Sequence, residues 1–243
     1  MSIGKLLLCL CLFVCSHIYG DNVLSLRDNL KRAHKGDFIV TLQNKNYTLL
    51  HIYDLNDNEM VLEEVTVPAA RLSRLPIWRE WLSQNAPGHT CWVLSHINLN
   101  NGQLQSSYSV SQRVWLDISQ TSNFLPVLLN LKLQQIPHNE RQKIGSTPNG
   151  SDRRPLWQPK MVVEGQQIQN VAFSAWRTRW PRDNSPLSGK LIEVYVPEEN
   201  DKYPSYFPYW LQVKGMSGSK ATIHVVDSGS KMVSPAPPIP IKN

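Results

Sequence analysis

Beyond residue 21 the apolar positions follow two rhythms, one of three and four residues and one of two. Val23, Leu26, Leu30 and Ala33 recur at the first spacing behind Asp21 and Asn22, with Gly36 after them, which predicts a short capped amphipathic helix. Phe38 to Thr41, Tyr47 to Tyr53 and Met60 to Val67 are β-prone runs parted by Asn44-Lys45-Asn46 and Asn56-Asp57-Asn58, the pattern of an antiparallel meander. Pro76 opens a second helix through Ile77, Trp78, Trp81 and Leu82, since a proline at a first helical position lacks only an N–H that would go unpaired there.

Asn101-Gly102 suits the positive φ angles of a type I′ turn, and β-prone runs flank it. Closing a hairpin there pairs Leu99 with Leu104, Ile97 with Ser106, Ser95 with Tyr108 and Val93 with Val110. Cys91 shares that inward parity and is expected to be a buried, inert thiol. Phe124, Leu125, Leu128, Leu129, Leu131 and Leu133 follow Thr121 and Ser122 as a third helix, with Pro126 tolerated in its first turn.

Strand-like runs resume at Met161–Val163, Ile168–Trp180, Leu191–Val196, Tyr209–Val213 and Ala221–Val226. Val171, Phe173 and Ala175 share one parity, while Trp176, Thr178 and Trp180 share the other, which predicts a bulge near Ala175 turning both tryptophans inward. The expected fold is mainly β (α+β), an antiparallel curved sheet or half-open barrel with two or three packed helices. Its parts are an N-terminal meander lobe over 21–136, a polar loop or linker over 137–160, C-terminal strands over 161–234 that complete the sheet or form a second lobe, and a Pro-rich tail over 235–243.

Residues 1–20 change the picture, because Lys5, an apolar stretch from Leu6 to Val14 and a small, polar end before Asp21 have the order of a secretory signal peptide. Its apolar part spans about half of a bilayer core of roughly 30 Å, too little for a lasting anchor. Cleavage after Gly20 is expected, with the bond after Ser16 as the alternative. Acylation of Cys15 would suit a lipoprotein, but Leu12-Phe13-Val14 lacks the small residue such a site has. Three of the 4 cysteines leave with this segment, so Cys91 alone remains and no internal disulfide is possible.

A net charge of +6, one lower without Lys5, favours acidic surfaces mildly and lacks the dense basic stripe of a nucleic-acid binder. Asp227-Ser228-Gly229 has the local form of an aspartic-protease strand, yet no second copy exists to share the proton, and a hairpin turn accounts for it. Asp54, Asn56 and Asn58 start like a calcium loop that Glu59 and Val65 then break, leaving a plain turn. Gly215-Met216-Ser217-Gly218-Ser219 misses the last glycine of a nucleophile elbow and reads as a hairpin loop. Histidines 34, 51, 89, 96, 138 and 224 lack zinc-site spacing, and no metal or cofactor is implied.

What remains is aromatic and basic: 8 tryptophans, several beside arginine, as in Trp78-Arg79, Trp176-Arg177 and Arg179-Trp180. Ordinary core filling explains most of them. The sharper expectation puts Trp176, Arg179 and Trp180 at a ligand-binding concavity, where the indoles contact an apolar tail and the guanidinium a head group.

The stretch from Trp180-Pro181-Arg182 to Ser188-Gly189-Lys190, together with Phe207-Pro208-Tyr209-Trp210 and Asp227-Ser228-Gly229-Ser230-Lys231, resembles a family of uncharacterised exported proteins of chlamydia-like bacteria. That resemblance spans most of the chain after the signal and implies a periplasmic location, with no activity attached. In element order alone the chain is similar to the half-open barrel of the periplasmic lipoprotein carriers. Together these readings give a non-catalytic exported protein that handles a lipid, an amphiphile or an envelope component, without nucleic acid and without a stable membrane span. The alternatives are a structural envelope component or a hydrolase whose site is assembled from distant residues.

Overall fold

The computed structural model describes residues 23–119, 124–147, 150–200, 202–215 and 218–240. The signal-like segment, the Thr121-Ser122 pair and Met216-Ser217 lie outside the described residues. The chain opens on a strand, β1 (Val23–Ser25), and a single-turn helix, α1 (Leu26–Leu30). This corrects the helix expected from Val23. A strand farther along pairs with Val23 to Ser25, and the cap is Ser25, whose Oγ accepts from the Asp28 N–H at 3.3 Å.

The meander forms as the alternation predicts, as β2 (Phe38–Gln43), β3 (Asn46–Leu55) and β4 (Glu59–Pro68). Asn56 makes the β3–β4 turn, its Oδ1 accepting from the N–H groups of Asn58 and Glu59 at 3.0 and 2.9 Å. α2 (Trp78–Ser83) follows, with Trp78, Trp81 and Leu82 buried and Ile77 left exposed just ahead of it.

β5 (Cys91–Asn98) and β6 (Leu104–Ser109) form the expected hairpin in a different register. Ile97 pairs with Leu104, His96 with Ser106 and Ser95 with Ser107, with a shift between His96 and Ile97. The cause is Asn98. Its carbonyl accepts from Gly102 N–H at 2.7 Å and its side chain from Asn100 N–H at 2.8 Å, which lengthens the turn beyond two residues. β7 (Val114–Leu116) extends the sheet by one edge strand.

α3 (Phe124–Asn130) is shorter than the leucine run suggests, for Leu131 falls after it and Leu133 enters β8 (Lys132–Gln135) on the two-residue rhythm. The turn-rich segment after it folds back on itself through a bridge between Lys143 and Leu156, and Trp157 packs edge-on against Tyr195 and Trp210 at 5.2 and 5.1 Å. β9 (Met161–Val163) and β10 (Gln166–Ile168) make a separate hairpin. β11 (Phe173–Arg179), β12 (Leu191–Pro197), β13 (Trp210–Lys214) and β14 (Lys220–Gly229) then pair in sequence. β11 and β12 run in unbroken register, so the bulge expected near Ala175 is absent.

Among the described residues twelve strands form one sheet in the order β1-β8-β11-β12-β13-β14-β2-β3-β4-β5-β6-β7, whose edge strands do not pair with each other. Asp227, Ser228 and Gly229, expected in a turn, pair with Val40, Ile39 and Phe38, because β2 offers its free edge to β14. Asp227 is satisfied there by the N–H groups of Gly165 and Ser228 at 3.0 and 2.9 Å.

Both faces of the sheet are covered. One curls around α1 and α3, burying Ile39, Ile52, Leu62, Leu128 and Leu133 in one cluster; the other holds α2 and the C-terminal tail against Val40, Leu49, Val65 and Leu94. No described helix is long and apolar enough to cross a membrane, which leaves strands aside.

Candidate ligand-binding cavity

The inner face of β2, β3 and β4 is built in rows, since side chains of one parity line up across paired strands. The deepest row places Ile52 beside Leu62. The next runs Ile39, Leu50, Glu64, and the one nearer the rim runs Thr41, Thr48, Thr66, with Gln43 beside Asn46 at the edge. Along each strand the inner wall therefore grades from apolar to polar. The threonine row is knit by a 3.1 Å contact between the Thr48 and Thr66 hydroxyls and by the Thr41 hydroxyl donating to the Thr48 carbonyl at 3.2 Å.

β13 and β14 continue the wall with Leu211, Ile223 and Val225, and α1 and α3 face it with Leu26, Leu30, Phe124, Leu125, Leu128 and Leu129. These elements do not meet in the middle. They leave an open-mouthed, mainly apolar cavity of about 390 Å³, within the usual range for small-molecule sites. Tyr206, Phe207 and Pro208 close one side. That loop is pinned, because the buried Tyr206 hydroxyl donates to the buried Asp37 carboxylate, which also accepts from His34 N–H at 2.8 Å. Burial and the Asp37 charge push the phenol far above its ordinary range, so it stays a donor.

Glu64 is the one carboxylate of this lining; no Lys, Arg or His contributes to it. Its neighbours in the row are Leu50 and Val93. Its side chain is exposed to solvent at the mouth, while the walls around it thin its hydration and raise its carboxyl above the ordinary value.

The sequence model of the CT021 protein family matches residues 48–169, half of the chain, and takes in Glu64 with most of the meander and α3. This chain belongs to the CT021 protein family. The 2.0 Å structure of the hypothetical protein CT021 from Chlamydia trachomatis superposes with a TM-score of 0.60 at 19% identity, covering 91% of this chain and 100% of that one. At that identity the likeness is one of fold. No curated protein matches the chain.

In this CT021-family chain the three residues singled out from the sequence lie apart from the cavity lining. Trp180 is buried just past the end of β11, its Nε1 donating to Asp183 at 3.0 Å and its ring stacked on Phe124. Trp176 packs half-buried against the inner cluster, and Arg179 is exposed, its guanidinium donating to the Gly189 carbonyl at 3.3 Å. Trp180 touches the lining through Phe124. Cys91 does stand on the inner parity, paired with Thr66 beyond the apolar rows, so it is half-buried rather than buried. Burial and the nearby Glu64 charge raise its thiol, which keeps it unreactive by another route.

A second ionisable group of residues lies on the outer face, fully buried. Glu63 accepts from His51 Nδ1 at 2.6 Å, Trp92 Nε1 at 2.8 Å and the Ser234 hydroxyl at 2.5 Å, while His51 Nε2 faces the Met232 carbonyl at 3.2 Å. Both imidazole nitrogens thus meet oxygen partners. With every atom partnered and no opening, this group clasps the C-terminal tail to the sheet. Among the described residues no cluster of His, Cys, Asp or Glu is arranged to hold a metal.

The sequence did hold a signal for Glu64. Glu63-Glu64 is a pair of acids in the middle of an apolar strand, so alternation must send one to each face. The cavity itself had none, for its walls come from separate parts of the chain.

Proposed function

We propose that this protein binds a hydrophobic or amphiphilic ligand in the inner cavity, and that its N-terminal segment directs it to an exported compartment. The observation that carries this is the grading of the wall, with apolar rows at depth and a threonine and amide rim at the mouth, which matches a molecule with a tail and a head. A structural sheet protein gains nothing from leaving such a volume unfilled, since empty space beside leucines forfeits contact energy. The lining offers threonine hydroxyls and one carboxylate with no histidine beside them, which supports holding a ligand over transforming it.

Mass spectrometry of lipids that accompany the protein from its native host, and titration with a neutral environment-sensitive fluorophore, test the reading. Leu50→Trp, which fills the cavity, should abolish fluorophore binding while the fold persists by circular dichroism. A protein that takes up no apolar probe and carries no lipid would refute it. Amino-terminal sequencing of the exported protein should give a start at Asp21, with no acyl chain on Cys15.

A further inference from the structure

Glu64 is an uneconomical choice for the place it occupies. Glu64 is exposed at the mouth, where water can reach it, but no described cation or side-chain donor pairs with it, so a ligand that covers it must either satisfy the carboxylate or leave it at a cost. Its strand neighbours across the row are Leu50 and Val93, and α3, which faces it, carries no titratable side chain. Cys91 on β5 feels the Glu64 charge, and its thiol cannot neutralise an anion. Thr66, two residues on, shows that this parity accepts a neutral polar side chain.

The position is what makes the charge informative. Glu64 lies one row inside the threonine rim, so its oxygens stand where the apolar part of the wall ends. A ligand with its tail at Ile39 and Leu62 would bring its head to this carboxylate. An anionic head would meet repulsion at the mouth, with no lining cation to offset it.

We infer that the ligand is an amphiphile with a protonated amine head group and that Glu64 is the residue that selects it. This rests on the reading of the cavity as a binding site. The same carboxylate excludes fatty acids and other anionic single-chain lipids of equal length. Specificity here is a difference between a head that completes the unpaired acid and one that repels it. The raised carboxyl agrees with this, since an ammonium partner would restore the ionised form on binding.

The test is displacement of a neutral fluorophore from the full protein by tetradecylammonium, tetradecanol and tetradecanoate, each below its micellisation concentration, at neutral pH. Tetradecylammonium should displace at a concentration about tenfold below tetradecanoate, with the alcohol between them. Glu64→Gln, nearly the same shape, should bring the three competitors together when each is referred to that variant's own affinity for the fluorophore. Acidification until Glu64 protonates should bring tetradecylammonium and tetradecanol together on the parent protein, the pair that keeps its own charge states across that range. If the fluorophore binds but the three compete equally, or if Glu64→Gln leaves their order unchanged, the head-group inference is overturned and the cavity reading stands. If the fluorophore binds to neither protein, the cavity reading itself falls and takes the inference with it.

Discussion

The Trp180 indole is stacked on the Phe124 ring, with centroids 5.5 Å apart and planes 8° from parallel. Phe124 in turn lines the cavity, so Trp180 supports the wall from behind. Trp180→Ala should cost about 3–5 kcal/mol of stability and weaken fluorophore binding, because Phe124 loses the surface that sets its ring. Trp180→Phe should keep the stack and most of the binding. Arg179→Gln should change neither by more than about 0.5 kcal/mol; denaturant titration and fluorophore affinity for the three variants check this, and an effect of Arg179 on charged ligands would place it at the site after all.

Cys91 offers an independent check on where Glu64 sits. Its thiol is raised by burial and then by the Glu64 charge, so little thiolate is present at neutral pH and a maleimide should label the native protein more slowly than it labels the unfolded chain. Glu64→Gln removes one of the two causes and should speed labelling of the folded protein. Equal rates in parent and variant would separate the two residues.

The pH dependence of stability follows from the direction of the Glu64 shift. Its folded value lies above the ordinary 4.5, so between those two values the folded state holds more protons than the unfolded one, and stability falls as pH rises through that window. Above it both states are ionised and the penalty stands in full; below 4.5 both are protonated and there is none. Asp227, raised by burial against the pull of two N–H groups, acts in the same direction. Thermal melts should therefore show Glu64→Gln more stable than the parent at neutral pH, the two converging in acid.

On the outer face, Glu63→Gln should cost about 3–5 kcal/mol, since it leaves His51 without its carboxylate in a fully buried site. Ser234→Ala removes one hydroxyl donor to that carboxylate and should cost about 1.5–3 kcal/mol. Both should also expose the tail from Met232 to Ala236 to proteolysis before the sheet itself opens, as limited digestion followed by mass spectrometry would show. Cleavage elsewhere first would argue against the clasp.

The sequence was most legible where one periodicity holds without interruption. β2 to β4 are β-prone runs bounded by asparagine turns, and α2 carries its tryptophans at helical spacing, so both were readable. Trouble began where two rhythms overlap: the leucine run after Phe124 serves a helix as far as Asn130 and a strand from Lys132. Hairpin register turned on Asn98, whose side chain and carbonyl outcompete the Asn101-Gly102 turn, a choice visible only once the loop closes. Trp180 does turn inward, as expected, but stands behind Phe124 instead of in the lining, a placement that depends on α3 and could not be read from the parity of β11. Asp227-Ser228-Gly229 has turn composition and became strand because a distant edge was free to pair with it.

The junction of β14 with β2 joins opposite ends of the described chain. Until β14 is present, the meander stands with an unpaired edge on β2, the condition in which strands recruit one another between molecules. Contacts of such long sequence separation also form slowly. The cavity inherits this order of events: its floor on β2 to β4 can be laid down early, while Leu211, Ile223 and Val225 close the wall only after the final strands arrive. A chain threaded across a membrane from its amino terminus would thus spend its passage as an aggregation-prone half-sheet, and a ligand held inside would mark a molecule that has emerged whole.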